Sequence, residues 1–263
     1  MLALVPEILE VERYRQAAEV VVGRSIAAVS APDAWFLKRG LGPGEVVAAL
    51  SGREVTAVRR HGKLLMLDTD GPVLGLRFGM TGRLVIDDGM PIAGLEYGPD
   101  RTDPAWRRFG LTFEGGGSLA IDDARRLGGV ELWPDEAALG PDALSLTRRQ
   151  LAAVLSGGRA PVKAVLLDQH RIAGIGNLLA DEILWRSGLD PARLAGTLSE
   201  DEVSRLHRTI RRVLPQLMAR GGSHTGDLQV AREHGAVCPR DGTPLERRTI
   251  GGRTTYSCPA HQR

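Results

Sequence analysis

Apolar side chains recur at Val11, Tyr14, Ala18 and Val21, a helical spacing that Gly23 closes, so the chain is expected to open on a helix over residues 10–22. From about Ser25 to Trp133 the period changes. Short β-branched stretches at 54–58, 63–68, 73–77, 83–87, 109–113 and 118–121, separated by Gly and Asp turns, predict a β-sandwich or barrel. Residues 88–108 carry little periodicity and several Gly, Pro and Asp, which predicts a long surface loop. Pro134 to Pro141 reads as a linker.

Beyond the linker the helical period returns at 147–155, 162–169, 177–188 and 199–220. In the last of these Ser199 and Glu202 form a capping box, Val203, Leu206, Ile210, Val213 and Leu217 line one face, and Pro215 should bend the helix. A short loop and a hairpin between Cys238 and Cys258 end the chain. The pattern predicts an α+β molecule in three parts: a β-sandwich lobe with its helix over 1–134, a helical lobe over 146–222, and a terminal hairpin over 232–263.

Composition narrows the classes. Hydrophobic residues make up 43% and charged residues 25%, ordinary globular usage that excludes wholesale disorder and fibrous repeats. No apolar run approaches the roughly 20 residues of a spanning helix, and the opening Met1-Leu2-Ala3-Leu4-Val5 has no basic flank before Pro6. A soluble, cytoplasmic protein with no membrane partner is expected, and two cysteines suit a reducing compartment. The net charge is only +2, but residues 201–263 hold eleven Arg and no Lys against six acidic residues. That C-terminal part is the candidate for an anionic partner. Of 34 basic residues only Lys38, Lys63 and Lys163 are lysine, so each lysine stands out.

Gly174-Ile175-Gly176-Asn177 comes immediately before a predicted helix. Glycine removes the Cβ obstruction, the helix's free N–H groups and positive end attract a phosphate, and Asn177 can add a donor. The same spacing also fits an ordinary helix–turn–helix corner.

These residues carry a resemblance. Leu166-Leu167-Asp168-Gln169, Gly174-Ile175-Gly176-Asn177 and Ala180-Asp181-Glu182 resemble the helix-two-turns-helix element of the formamidopyrimidine-DNA glycosylase and endonuclease VIII (Fpg/Nei) family. Pro6-Glu7-Ile8-Leu9-Glu10-Val11-Glu12 resembles its N-terminal catalytic segment, although Leu9 stands where many members have a second proline. His61-Gly62-Lys63 is similar to its β-lobe lysine site, Gly79-Met80-Thr81-Gly82 to its wedge loop, and Asp123-Ala124-Arg125-Arg126-Leu127-Gly128 to its intercalation loop.

The resemblance implies a monomeric DNA-repair enzyme on double-stranded damaged DNA, a glycosylase that excises an oxidised base and an AP lyase that cleaves the abasic strand by β,δ-elimination. Its nucleophile is an N-terminal proline, because only a secondary amine, and not an internal amide nitrogen, can attack the anomeric carbon and form an iminium. Pro6 is internal as written. The reading that restores the chemistry takes Val5 as the true start, whose initiating Met is then removed to free Pro6; the rival is a catalytically silent binder of damaged DNA. Glu7 would be the acid/base that protonates the sugar ring oxygen and Glu10 would support the site, whereas the residues alone also fit the acidic first turns of a helix.

By the same resemblance Lys63 would hold the phosphate beside the lesion, and Met80, Arg125 and Leu127 would fill the gap left by the flipped nucleotide. Leu127 replaces a frequent Phe, which puts opposite-base preference in question. Lys163, Asn177 and Arg253 are the candidate phosphate contacts of the C-terminal half. The stretch 221–232 is shorter than the family's usual lesion-capping loop, which argues against strong 8-oxoguanine specificity. Cys238-x2-Asp241-x16-Cys258-x2-His261 keeps the spacing of the family's four-cysteine zinc finger with two ligands changed. Zinc accepts Cys, His and Asp, so a structural zinc is chemically sound, and a metal-free hairpin is the alternative.

Overall fold

Phe109, Leu111 and Phe113 alternate with smaller or polar residues, so one face of their strand must be buried. The structure, a computed structural model, describes residues 6–92 and 103–263. They fall into two units: Pro6 with Glu10–Glu136, and Glu7–Leu9 with Ala137–Arg263. The start assigned to Val5 and residues 93–102 of the expected 88–108 loop lie outside the described residues.

The first unit takes helix α1 (Ile8–Ala18) from Glu10 onward, and its Val11, Tyr14 and Ala18 are fully buried. It continues through β1 (Ile26–Ser30), α2 (Pro43–Leu50), β2 (Val55–His61), β3 (Leu64–Thr69), β4 (Leu74–Arg77), β5 (Arg83–Ile86), β6 (Arg107–Phe113), β7 (Ser118–Asp122) and β8 (Gly129–Leu132). The strands form two antiparallel four-stranded sheets, in the orders β1-β6-β7-β5 and β2-β3-β4-β8. Both sheets contribute to one apolar core: Ile26, Leu84, Phe109, Leu111 and Ile121 from the first, Val55, Leu65, Leu67, Leu76 and Val130 from the second. This is the expected sandwich, and β1, α2 and β8 are additions to the elements predicted for it. The expected loop ends early, because β6 starts at Arg107.

The second unit holds α3 (Arg148–Leu155), α4 (Val162–Leu167), α5 (Asn177–Ser187), α6 (Glu200–Arg220) and the hairpin of β9 (Glu246–Ile250) with β10 (Arg253–Ser257). Ser199 and Glu202 make the predicted reciprocal cap of α6, and Gly221 ends it in the left-handed region. Ile8 and Leu9 belong to this unit's core, beside Leu166, Ile175, Leu179 and Ile183. Among the described residues no helix is long and apolar enough to cross a membrane.

Candidate active site

Glu7 is 1% exposed, and the reason lies at the start of α5. Its carboxylate accepts backbone N–H bonds from Gly176 (2.8 Å), Leu178 (2.8 Å) and Leu179 (3.2 Å). These are donors that a helix cannot satisfy internally, and the positive end of α5 adds to their attraction for a negative charge. A β-carbon at Gly176 would lie 2.2 Å from Glu7 Cδ, and one at Gly174 (φ +112°) 2.4 Å from Ile8 Cδ1. The glycines therefore admit a protein segment: the helix terminus expected to attract a DNA phosphate is occupied by the carboxylate that follows Pro6.

Further along α1, Glu10 is fully buried. Burial and the Glu10 charge push the Tyr14 phenol well above its ordinary range. That phenol donates to Gly82 O (3.4 Å), and its ring lies 4.5 Å from that of Phe78, so α1 supports both ends of the segment that carries Met80. Glu12 accepts from Arg60 Nε (2.9 Å), and Arg60 Nη1 donates to Gly62 O (3.0 Å). This chain fixes the tight turn at Gly62 (φ +58°) immediately before Lys63, which is half-buried. Burial works against the Glu12 charge, but the Arg60 and Arg15 guanidiniums outweigh it and hold the carboxyl below its usual range.

Met80 is half-buried, Arg125 is exposed and Leu127 is 47% exposed. The first unit thus presents the three expected gap-filling side chains on two adjoining loops: a β-carbon at Gly79 would lie 2.5 Å from the carbonyl carbon of Leu127.

The three candidates of the second unit separate. Arg253 is exposed at the start of β10, where its guanidinium meets only the neighbouring Gly252 carbonyl among the contacts described. Asn177 donates to Thr254 O (3.1 Å) while its Oδ1 is buried without a partner. Lys163 is fully buried instead of facing a phosphate. Its ammonium pairs with Asp181 Oδ1 (2.6 Å) and donates to Thr255 Oγ1 (2.6 Å) and Thr254 O (3.2 Å), and burial, opposed by Asp181, lowers its pKa. The position of Lys163 makes it a fastener between α4, α5 and β10, the strand that bears Arg253.

Sequence reasoning gave no role to the neighbours of this fastener. Asp181 also pairs with Arg232, whose guanidinium sits 5.3 Å from the Tyr256 ring centroid. Glu182, fully buried, accepts from the backbone N–H groups of Asp227 (3.0 Å) and Leu228 (2.9 Å). Two consecutive acidic residues of α5 thus tie down the short 221–232 stretch. The available signal was a pair of carboxylates in an otherwise apolar helix segment, since such groups are buried only when paired.

Cys238, Asp241, Cys258 and His261 present donor atoms that all lie within 4.8 Å of one another. The surroundings suit a cation. His261 Nε2 is 3.3 Å from Trp185 O, an arrangement that leaves Nδ1 facing Asp241 Oδ2 at 2.8 Å. Trp185 Nε1 (3.3 Å) and the Arg240 N–H (3.4 Å) both donate to Cys238 Sγ, which stabilises a thiolate. Burial pushes the Cys258 thiol up, and the N–H of Thr243 with His261 holds the Asp241 carboxyl well below its usual range. The donor set is one that a tetrahedral metal ion accepts.

Sequence models of the formamidopyrimidine-DNA glycosylase N-terminal domain and H2TH domain match residues 5–130 and 139–228. The chain belongs to the formamidopyrimidine-DNA glycosylase family. It is 36% identical to the formamidopyrimidine-DNA glycosylase of Paracoccus denitrificans, with 98% of this chain and 99% of that protein covered. With the Moorella thermoacetica formamidopyrimidine-DNA glycosylase the identity is 37% over 75% of this chain and 78% of that protein. The fold is that of the Lactococcus lactis family member solved with DNA containing an abasic site (TM-score 0.82, 24% identity, 98% of this chain and 99% of that one). The order of the two matched domains agrees with the order of a sandwich followed by helices.

Proposed function

We propose that this chain is a DNA glycosylase of base excision repair that also acts as an AP lyase, using the nitrogen of Pro6 as nucleophile on duplex DNA. The observation that carries the reading is the Glu7 carboxylate on the three N–H groups of Gly176, Leu178 and Leu179. An acidic group is thereby held in a dry place one residue after the proline. Attack of the free amine on the anomeric carbon breaks the glycosidic bond, the base departing with the bonding pair and taking a proton from water, and leaves a positive nitrogen. Glu7, held as the carboxylate, accepts the proton that this nitrogen sheds and returns it to the ring oxygen, which opens the sugar and gives the iminium. Elimination of the 3′ and then the 5′ phosphate from that intermediate is the β,δ-outcome.

Lys63 and Arg253 grip phosphates, Asn177 offers the amide hydrogen that Thr254 O leaves free, and Met80, Arg125 and Leu127 occupy the space of the extruded nucleotide. The cluster of Cys238, Asp241, Cys258 and His261 holds a structural zinc that stiffens the hairpin bearing Arg253. The enzyme acts as a monomer in the cytoplasm.

Borohydride reduction of the iminium tests the nucleophile. A chain begun as Met-Pro6-Glu7 and relieved of its methionine should be trapped on duplexes with an abasic site or an oxidised base, and one that keeps residues 1–5 should not. Equal trapping of both forms would move the nucleophile elsewhere. If neither is trapped, the protein is a silent binder of damaged DNA.

A further inference from the structure

Asp123 is a buried carboxyl group, 0% exposed, that binds two separate loops at once. Its Oδ1 accepts from the Thr81 hydroxyl and from the Arg125 N–H (3.1 Å), and its Oδ2 accepts from the Gly128 N–H (2.8 Å). Thr81 follows Met80 directly, while Arg125 and Gly128 bracket the segment with Leu127 at its tip. The backbones are equally close. A β-carbon at Gly128 would meet Arg77 O at 2.3 Å, and one at Gly79 would meet the Leu127–Gly128 peptide at 2.5–2.7 Å. From outside, Arg108 Nε donates to Asp123 O (2.8 Å), and Arg126 Nε donates to Asp33 Oδ2 (2.7 Å), whose Oδ1 caps the turn at Trp35 (3.1 Å).

A buried carboxyl is tolerated only when its acceptor sites are filled, so these bonds are obligatory in a way that contacts between exposed loops are not. Neither loop can shift alone without breaking a hydrogen bond to Asp123: the Met80 loop would take the Thr81 hydroxyl from Oδ1, and the Leu127 loop the Gly128 N–H from Oδ2. Thr81 supplies the connection that sequence spacing hides, since it lies 42 residues from Asp123.

We propose that Asp123 is a positioning residue that makes the Met80 loop and the Arg125–Leu127 loop one rigid element, so that the enzyme's response to the base opposite the lesion is set by the pair and not by either loop. This rests on the reading that Met80 and Leu127 fill the gap in damaged DNA. Asp123 touches no DNA; it acts through the backbone of the residues that do.

The test compares affinity for a duplex with a tetrahydrofuran abasic analogue against undamaged duplex, with each of the four bases opposite. In the parent, Met80→Ala and Leu127→Ala should each lower the damaged-over-undamaged ratio several-fold, and the double variant scarcely further. In the Asp123→Asn background the two losses should multiply. Asp123→Asn alone should lower the ratio about tenfold and flatten the differences among opposite bases, with undamaged-duplex affinity unchanged. Thr81→Val, which removes a single arm of the brace, should act in the same direction, and Thr81→Ser should restore the parent's behaviour. Thr81→Val supplies the same readout if Asp123→Asn fails to fold. An Asp123→Asn or Thr81→Val protein that melts cooperatively and keeps the parent's opposite-base profile would overturn the proposal alone. Single Met80 and Leu127 variants with an unchanged ratio would instead overturn the gap-filling reading, and the proposal with it.

Discussion

Glu7 and Gly176 are in contact so close that any side chain at position 176 would displace the carboxylate: a β-carbon there would lie 2.2 Å from Glu7 Cδ and 2.4 Å from Glu7 Oε1. Gly176→Ala should therefore push the carboxylate off the end of α5 without touching any group that reaches DNA. Displacement of a reacting group by about 1 Å costs on the order of 10²-fold in rate. Single-turnover base excision should fall by about that much, with binding to an abasic-analogue duplex changed little.

Glu7→Gln keeps the shape but sets an amide N–H₂ against at least one of the three backbone donors. Base excision should drop by about 10²–10⁴-fold, the range of acid–base catalysis by a positioned group. Duplex affinity should change far less, which a filter-binding titration beside the excision assay would read. Equal losses in both would make Glu7 a purely structural residue.

Glu12 is held below its ordinary 4.5 chiefly by Arg60 and Arg15, against the opposing effect of its burial. The folded state thus binds its proton less readily than the unfolded chain, so the stabilisation is complete above about 4.5 and fades as pH falls through the lowered value. Glu12→Gln should cost on the order of 1 kcal/mol at neutral pH, and its melting curve should approach the parent's in acid. Because Arg60 also fixes the Gly62 turn, the variant should weaken phosphate binding through Lys63.

Arg253→Ala should lower affinity for every duplex and reduce the slope of log affinity against log salt by about one, as loss of one phosphate contact requires. Lys163→Ala should instead lower the melting temperature, at a stability cost below the roughly 3–5 kcal/mol of a wholly uncompensated buried charge, because Arg232 and the Tyr256 N–H still hold Asp181.

Elemental analysis should find one zinc per chain, absent from Cys238→Ser and retained by Asp241→Cys, which exchanges one acceptable ligand for another. A folded parent protein free of zinc would make the terminal hairpin a metal-independent one.

The strands with two or more large apolar side chains at alternate positions were legible because burial of one face needs that period. Ile26-Ala27-Ala28-Val29-Ser30 was not, since small residues blur its alternation, and Gly129-Val130-Glu131-Leu132 is only four residues long with its polar Glu131 buried like its neighbour Val130. The metal cluster was legible because its four donors come in two short pairs. Gly174-Ile175-Gly176-Asn177 announced a close approach but not what approaches, because its occupant, Glu7, lies 169 residues from Gly176. Rarity marked Lys163 as significant, yet rarity carries no information on burial; the nearby Asp181, which decides it, is contributed by a different helix.

Trp185 joins the end of α5 to the donor cluster twice, by its indole N–H on Cys238 Sγ and by its carbonyl beside His261, with the two rings edge to face at 5.9 Å. It is 7% exposed, whereas Trp106 is half-buried and Trp35 and Trp133 are 70% and 62% exposed. The protein therefore contains its own optical reporter: a sheltered indole emitting at shorter wavelength than the wet Trp35 and Trp133, against a sulfur whose charge and ligation the proposed zinc would control. Chelation and refilling of the hairpin should be visible in the blue edge of the intrinsic fluorescence, with no DNA present and no label attached.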